Sequence, residues 1–278
     1  MAPVGADRKL VEADLAICTS LNALGGHLQQ TGTLMERWVR GAAKTAAVQS
    51  ELQTILQAFQ KEESRLGALK VSGAAQPLLS GAMRCAAQRR QAIGEALKLS
   101  QQNKLSSTIL RNYWKSTLDA TRGSQSDWFN VRLTFVNVVL KESPAMAGFY
   151  PWQAAILKAW KEESQISSEA QSLLIKQYQT NTEREQLGQQ AIDVMNRAIR
   201  LHIFCNSLKP APQVALAHQA ALQELKAMTD LCNYISLRFT DPSQDSVDRL
   251  RRGIHELSEC SVKLEKASLQ ALQATLRK

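Results

Sequence analysis

Leu10, Ile17, Leu21, Leu24 and Leu28 fall at spacings of 7, 4, 3 and 4. A helix of 3.6 residues per turn brings such positions onto one face, so the stripe is that of an amphipathic helix. The same period returns in almost every later segment, which commits the chain to packing helix against helix. Thirteen glycines and seven prolines in 278 residues are too few for a turn-rich β fold or a linker protein. Hydrophobic residues make up 44% of the chain, enough for a sizeable core. The expectation is a single all-α domain over 1–278: an elongated bundle of about seven to nine amphipathic helices with antiparallel neighbours and short connections.

Local signals divide the stripe. Gly25-Gly26 is expected to weaken or end the first helix, and Thr33-Leu34-Met35-Glu36 has the form of a capping box that starts the next. The second helix carries Leu52, Ile55, Phe59, Leu66 and Leu69 to a break at Val71-Ser72-Gly73. Further helices are predicted over 75–102, 105–118, 127–142, 152–179, 183–207, 213–239 and 246–276. Whether 75–122 is one helix or two is left open by the weak break at Gln101-Gln102-Asn103. Within 128–140, Phe129, Val131, Leu133 and Phe135 alternate as in a buried strand, but a lone strand has no partner, so helix is preferred. In the last helix Ser261 and Ser268 occupy two positions of an otherwise leucine-rich seam. The apolar face is therefore expected to drift sideways there.

No catalytic signature is present: no phosphate-cradling loop, no GxGxxG, no GxSxG elbow and no HExxH. His202 with Cys205, joined by His218 or Cys232, is the best metal candidate, but Leu201, Ile203, Phe204 and Cys205 read better as a buried helix end. Neighbouring carboxylates at Glu62-Glu63 and Glu162-Glu163 point about 100° apart on a helix and do not share a site. Neither an enzyme, a metal nor another cofactor is expected. The five cysteines are widely spaced and unpaired in pattern, and no signal peptide or membrane-spanning run is visible. These features point to synthesis in a reducing cytoplasm, with export by a signal-peptide-independent route left open.

Two features rise above this background. Between residues 84 and 122 lie eight basic residues against two acidic ones. On a continuous helix Lys104, Arg111, Lys115 and Arg122 share one face, which would attract anionic lipid or another acidic partner. Nucleic acid is disfavoured, because no reading module accompanies the charge. The second feature is residues 128–160, where 21 of 33 are hydrophobic and seven of the chain's fifteen aromatics gather. Trp128, Phe129, Phe135, Phe149, Tyr150, Trp152 and Trp160 form an aromatic hairpin that is either the centre of the bundle or a membrane- or partner-binding element.

Long amphipathic helices around a central apolar hairpin resemble, in layout, the α-helical pore-forming toxins of the cytolysin A and xenorhabdolysin kind. That resemblance implies a hairpin packed on the bundle at rest and released into lipid within a homo- or hetero-oligomer. The competing expectations are a helical adaptor, effector or chaperone with an apolar or acidic protein partner, and a BAR-like membrane-curving dimer.

Overall fold

The first helix passes straight through Gly25-Gly26. In a computed structural model describing residues 4–71, 73–102, 113, 125–142, 149–176, 178–241 and 247–276, α1 spans Val4–Val39 without a break. Gly25 serves close packing instead of termination. A Cβ there would lie 2.7 Å from Glu265 Oε2 and 3.2 Å from Arg89 Nη1. The Thr33 capping box is accordingly unused, since it falls in mid-helix. The chain turns later, at Gly41 (φ +72°), where Ala42 N–H donates to Arg37 O and Gly41 N–H to Trp38 O. Those are the two bonds of a Schellman ending, and its left-handed residue favours glycine.

The second helix, α2, begins at Thr45 and not at Thr33 and ends at Gly67, while the others follow the predicted divisions closely: α3 Ala75–Ser100, α4 Gln125–Glu142, α5 Tyr150–Ile175, α6 Asn181–Ser207, α7 Ala215–Thr240 and α8 Val247–Leu276. The predicted 105–118 helix lies outside the described residues except for Tyr113, which is helical and buried. A capping box does occur, at Thr180. Its Oγ1 accepts from Glu183 N–H, while Glu183 Oε2 accepts from Thr180 N–H. Gln179 N–H, at 2.8 Å, and Thr180 N–H both donate to that carboxylate and hold it below its ordinary pKa.

These eight helices, with no strand among the described residues, pack as antiparallel neighbours in chain order. The C-terminal α8 returns to α1, α3 packs on α1, and α4 bridges α3 to α5. Residues 128–140 are helical, and their burial follows the helical period. Phe129, Arg132, Phe135, Val136 and Val139 face inward while Asn130, Thr134 and Asn137 face out. The α8 seam does not drift at its first serine: Ser261 is buried in line with Leu257 and Leu264, and its Oγ donates to Glu224 Oε1 of α7.

Two adjacent glycines thus predict opposite outcomes. A Cβ at Gly26 would meet nothing within 4 Å, so Gly26→Ala should stabilise the protein by about 0.5–1 kcal/mol through helix propensity. Gly25→Ala should show no such gain, because its methyl displaces Glu265. Urea midpoints of the two variants check this.

Candidate functional site

The aromatic hairpin is α4 and α5, and in this structure its rings face the bundle. Phe129, Phe135, Phe149, Tyr150 and Trp152 are buried, while Trp128 and Trp160 are half-buried. Phe129 stacks on Trp160 with centroids 5.6 Å apart. At the start of α5, Phe149 meets Tyr150 edge-on at 5.4 Å and Trp152 at 5.8 Å. These seven residues form the inner side of the hairpin, and lipid reaches the five buried rings only if the hairpin moves.

A buried polar cluster holds that hairpin to α1. Asp14 and Tyr150 are both 0% exposed. Arg132 makes a bidentate pair with Asp14, through Nη1 to Oδ1 and through Nη2 to Oδ2 at 2.9 Å. Arg132 Nη2 also donates to Gln153 Oε1 at 3.2 Å, and Tyr150 Oη–H donates to Asp14 Oδ2 at 2.9 Å. Cys18 Sγ–H donates to the same carboxylate at 3.4 Å. Burial beside Asp14 pushes the Tyr150 hydroxyl and the Cys18 thiol well above their ordinary pKa values, so neither ionises. The guanidinium also lies 5.8 Å from the Trp128 ring centre and 6.0 Å from that of Phe135, within cation–π range. The helical period explains the arrangement, because residues 14, 132, 150 and 153 sit on the inward faces of three neighbouring helices.

A second tie joins the hairpin to α7. Trp152 Nε1–H donates to His218 Nδ1 at 3.2 Å, which fixes the imidazole as a neutral acceptor with its proton on Nε2. Burial pushes the His218 pKa below its ordinary value. The folded state therefore resists protonation that the unfolded chain accepts near pH 6.5. This contribution to stability is complete above that pH and is lost as pH falls through the depressed folded value. Urea midpoints should drop as pH is lowered below about 6.5, with a red shift of tryptophan emission. His218→Gln should flatten that limb.

The proposed basic face, Lys104, Arg111, Lys115 and Arg122, lies outside the described residues. Of the other basic residues in that stretch, Arg89 and Arg90 serve internal contacts. Buried Arg89 pairs with Glu265 and donates to Leu21 O at 2.8 Å, and Arg90 pairs with Glu63 at 2.9 Å. His202, Cys205, His218 and Cys232 do not assemble: among the described residues no group of three metal-ligating side chains converges. Burial pushes the Cys205 thiol up to about 11.

The structure corrects the expected buried end of α6. Leu201 and Cys205 are buried, but Ile203 is 64% and Phe204 50% exposed. Only one face of α6 meets its neighbours, through Leu187, Ala191, Val194, Ala198, Leu201 and Cys205. Positions 199, 203 and 204 fall outside it. Just beyond the connection, Leu216 in the first turn of α7 is 71% exposed. The Trp152–His218 bond sets the start of α5 beside the start of α7, so exposed apolar side chains and latched rings share one end of the bundle. From 194 to 223 the chain has no carboxylate, and Arg200 and Lys209 are exposed there. The signal available in the sequence was that carboxylate-free run with four apolar residues where the α6 face allows only two inward. No helix among the described residues is long and apolar enough to cross a membrane.

No protein-family model matches the chain, and no curated protein or solved structure matches it.

Proposed function

We propose that the protein is a non-enzymatic helical bundle that binds an anionic membrane surface with the α6–α7 end and then commits the aromatic hairpin to the same surface. The observation that carries this reading is the exposed set Ile199, Ile203, Phe204 and Leu216 beside Arg200 and Lys209, with no carboxylate in that run of chain. Apolar side chains of this kind bury in the headgroup boundary while neighbouring cations meet lipid phosphate, a combination of area and charge that gives reversible interfacial binding. A hydrophobic patch kept in water at such an end marks an interaction site. The hairpin supplies the second stage because its ring cluster begins at that end and is held by separable polar contacts. Lys104, Arg111, Lys115 and Arg122 add to the attraction if their helix is continuous.

Flotation with phosphatidylcholine vesicles, with and without phosphatidylserine, tests this. The full-length protein should float with the anionic vesicles at low salt and be released at high salt, as expected for screened surface charges. Ile203→Ser together with Phe204→Ser should abolish flotation while leaving the urea midpoint unchanged. Absence of flotation under every condition overturns the reading in favour of an apolar or acidic protein partner at the same end.

A further inference from the structure

Beneath the hairpin lies a half-open cavity of about 110 Å³, walled by Trp128, Phe129, Phe149 and Trp160 and by α1, α3, α7 and α8. What sets this one apart is its polar chemistry. Among the described residues, three cavity-lining side chains carry buried polar atoms without a hydrogen-bond partner: Trp160 Nε1, Glu265 Oε2 and Ser268 Oγ. Native structures pair nearly all buried polar atoms, so three orphans around one cavity need a cause. The Glu265 carboxylate cannot turn away to solve the problem, because its Oε1 is held by Arg89, itself fixed to Leu21 O. Gly25 clears the space that Oε2 occupies.

We infer that this cavity is a binding site for a small neutral molecule consisting of a ring and one hydroxyl group. An engineered closed cavity of about 150 Å³ holds benzene, so the space here, smaller but open along one edge, limits an occupant to one compact ring. A ligand hydroxyl has one donor and two acceptor lone pairs. It meets an indole N–H with its oxygen and a carboxylate or serine oxygen with its proton. An anionic ligand is disfavoured, since the carboxylates of Glu224 and Glu265 both line the wall, and the orphan oxygen offers a cation no unpaired charge, because Glu265 is already neutralised by Arg89. Aromatic walls supply the rest of the complementarity. Such an occupant touches α4 and α5 on one side and α8 on the other, and so ties the hairpin to the bundle. The site stands independently of the membrane reading.

Phenol and toluene, alike in size and differing in the hydroxyl, are the probes. Calorimetric titration of the full-length protein should show saturable phenol binding about 10-fold tighter than toluene, the equivalent of about 1.4 kcal/mol. Phenol should also raise the melting temperature in proportion to its saturation. In Trp160→Phe and in Ser268→Ala the phenol preference should fall to within about 3-fold, with toluene affinity retained. The wild-type comparison needs no variant to fold. Equal binding of the two probes would mean a plain apolar void, and no saturable binding of either would mean a cavity that holds only water. Either result overturns the inference.

Discussion

Asp14→Ala is expected to cost about 3–5 kcal/mol of folding stability, because it leaves the Arg132 guanidinium buried without its counter-charge. The carboxylate accepts both guanidinium bonds and the Tyr150 hydroxyl, so its loss strips partners from two helices at once. Arg132 then keeps its bond to Gln153 Oε1, which carries no charge. Removing the charge with its partner behaves differently. Asp14→Leu combined with Arg132→Met and Tyr150→Phe replaces the charged pair and its hydroxyl by apolar groups of similar shape and should recover much of the lost stability, less the cost of leaving Gln153 Oε1 without its donor. Urea unfolding of the single and triple variants measures both. The difference decides what the cluster is for. If the triple variant is as stable as the parent but floats with anionic vesicles more readily at lower salt, the cluster is a latch whose cost is kept for control of the hairpin. If flotation is unchanged, the cluster only sets the register of α1, α4 and α5. A single variant that loses less than about 1 kcal/mol would show that water reaches Arg132 and that the buried pair does not hold the hairpin.

The expected acid response of His218 acts at the same place. Its loss of the Trp152 bond and the loss of the Asp14 pair both detach the start of the hairpin, one from α7 and the other from α1. A surface rich in anionic lipid concentrates protons near itself, so contact through Phe204 and Leu216 would bring the imidazole into a more acidic layer. Flotation rising as pH falls below about 6.5, and no longer doing so in His218→Gln, would join the two stages of the proposal.

How much of this is legible in the residues varies with the kind of signal. Helix number and most boundaries follow from apolar period and from proline, since those act locally. Gly25-Gly26 misleads because glycine marks either a turn or a close approach, and only the position of Glu265 on α8, distant in sequence, distinguishes them. The Thr33 box has the right residues, but the capping bond forms only where the chain already leaves the helix, as it does at Thr180. Ser261 and Ser268 are visible as interruptions of the α8 seam. Reading them as drift treats the seam as purely apolar, whereas Ser261 bonds to Glu224 and Ser268 lines the cavity. The rings of 128–160 stand out as a unit, yet composition alone does not tell which side of the hairpin they occupy. The outward placement of Ile203 and Phe204 is hidden because four apolar residues within 201–205, interrupted only by His202, suit a helix buried all round as well as one packed on a single face.

Two phenylalanines separate core from contact. Phe135 is 2% exposed on α4, so Phe135→Ala removes a ring from close packing and should cost about 3–5 kcal/mol. Phe204→Ala removes a half-exposed ring and should change stability by no more than about 0.5 kcal/mol. Membrane binding should run the other way. Phe204→Ala should weaken flotation with anionic vesicles by about 10-fold, as the loss of one interfacial ring allows, while Phe135→Ala should retain or strengthen it by loosening α4 from the bundle. The crossing of the two effects is the informative result, because a general loss of fold would lower both measurements together. Should Phe135→Ala abolish flotation while Phe204→Ala leaves it intact, the α6–α7 end is not the contact, and the hairpin must reach its target from the closed bundle by another face.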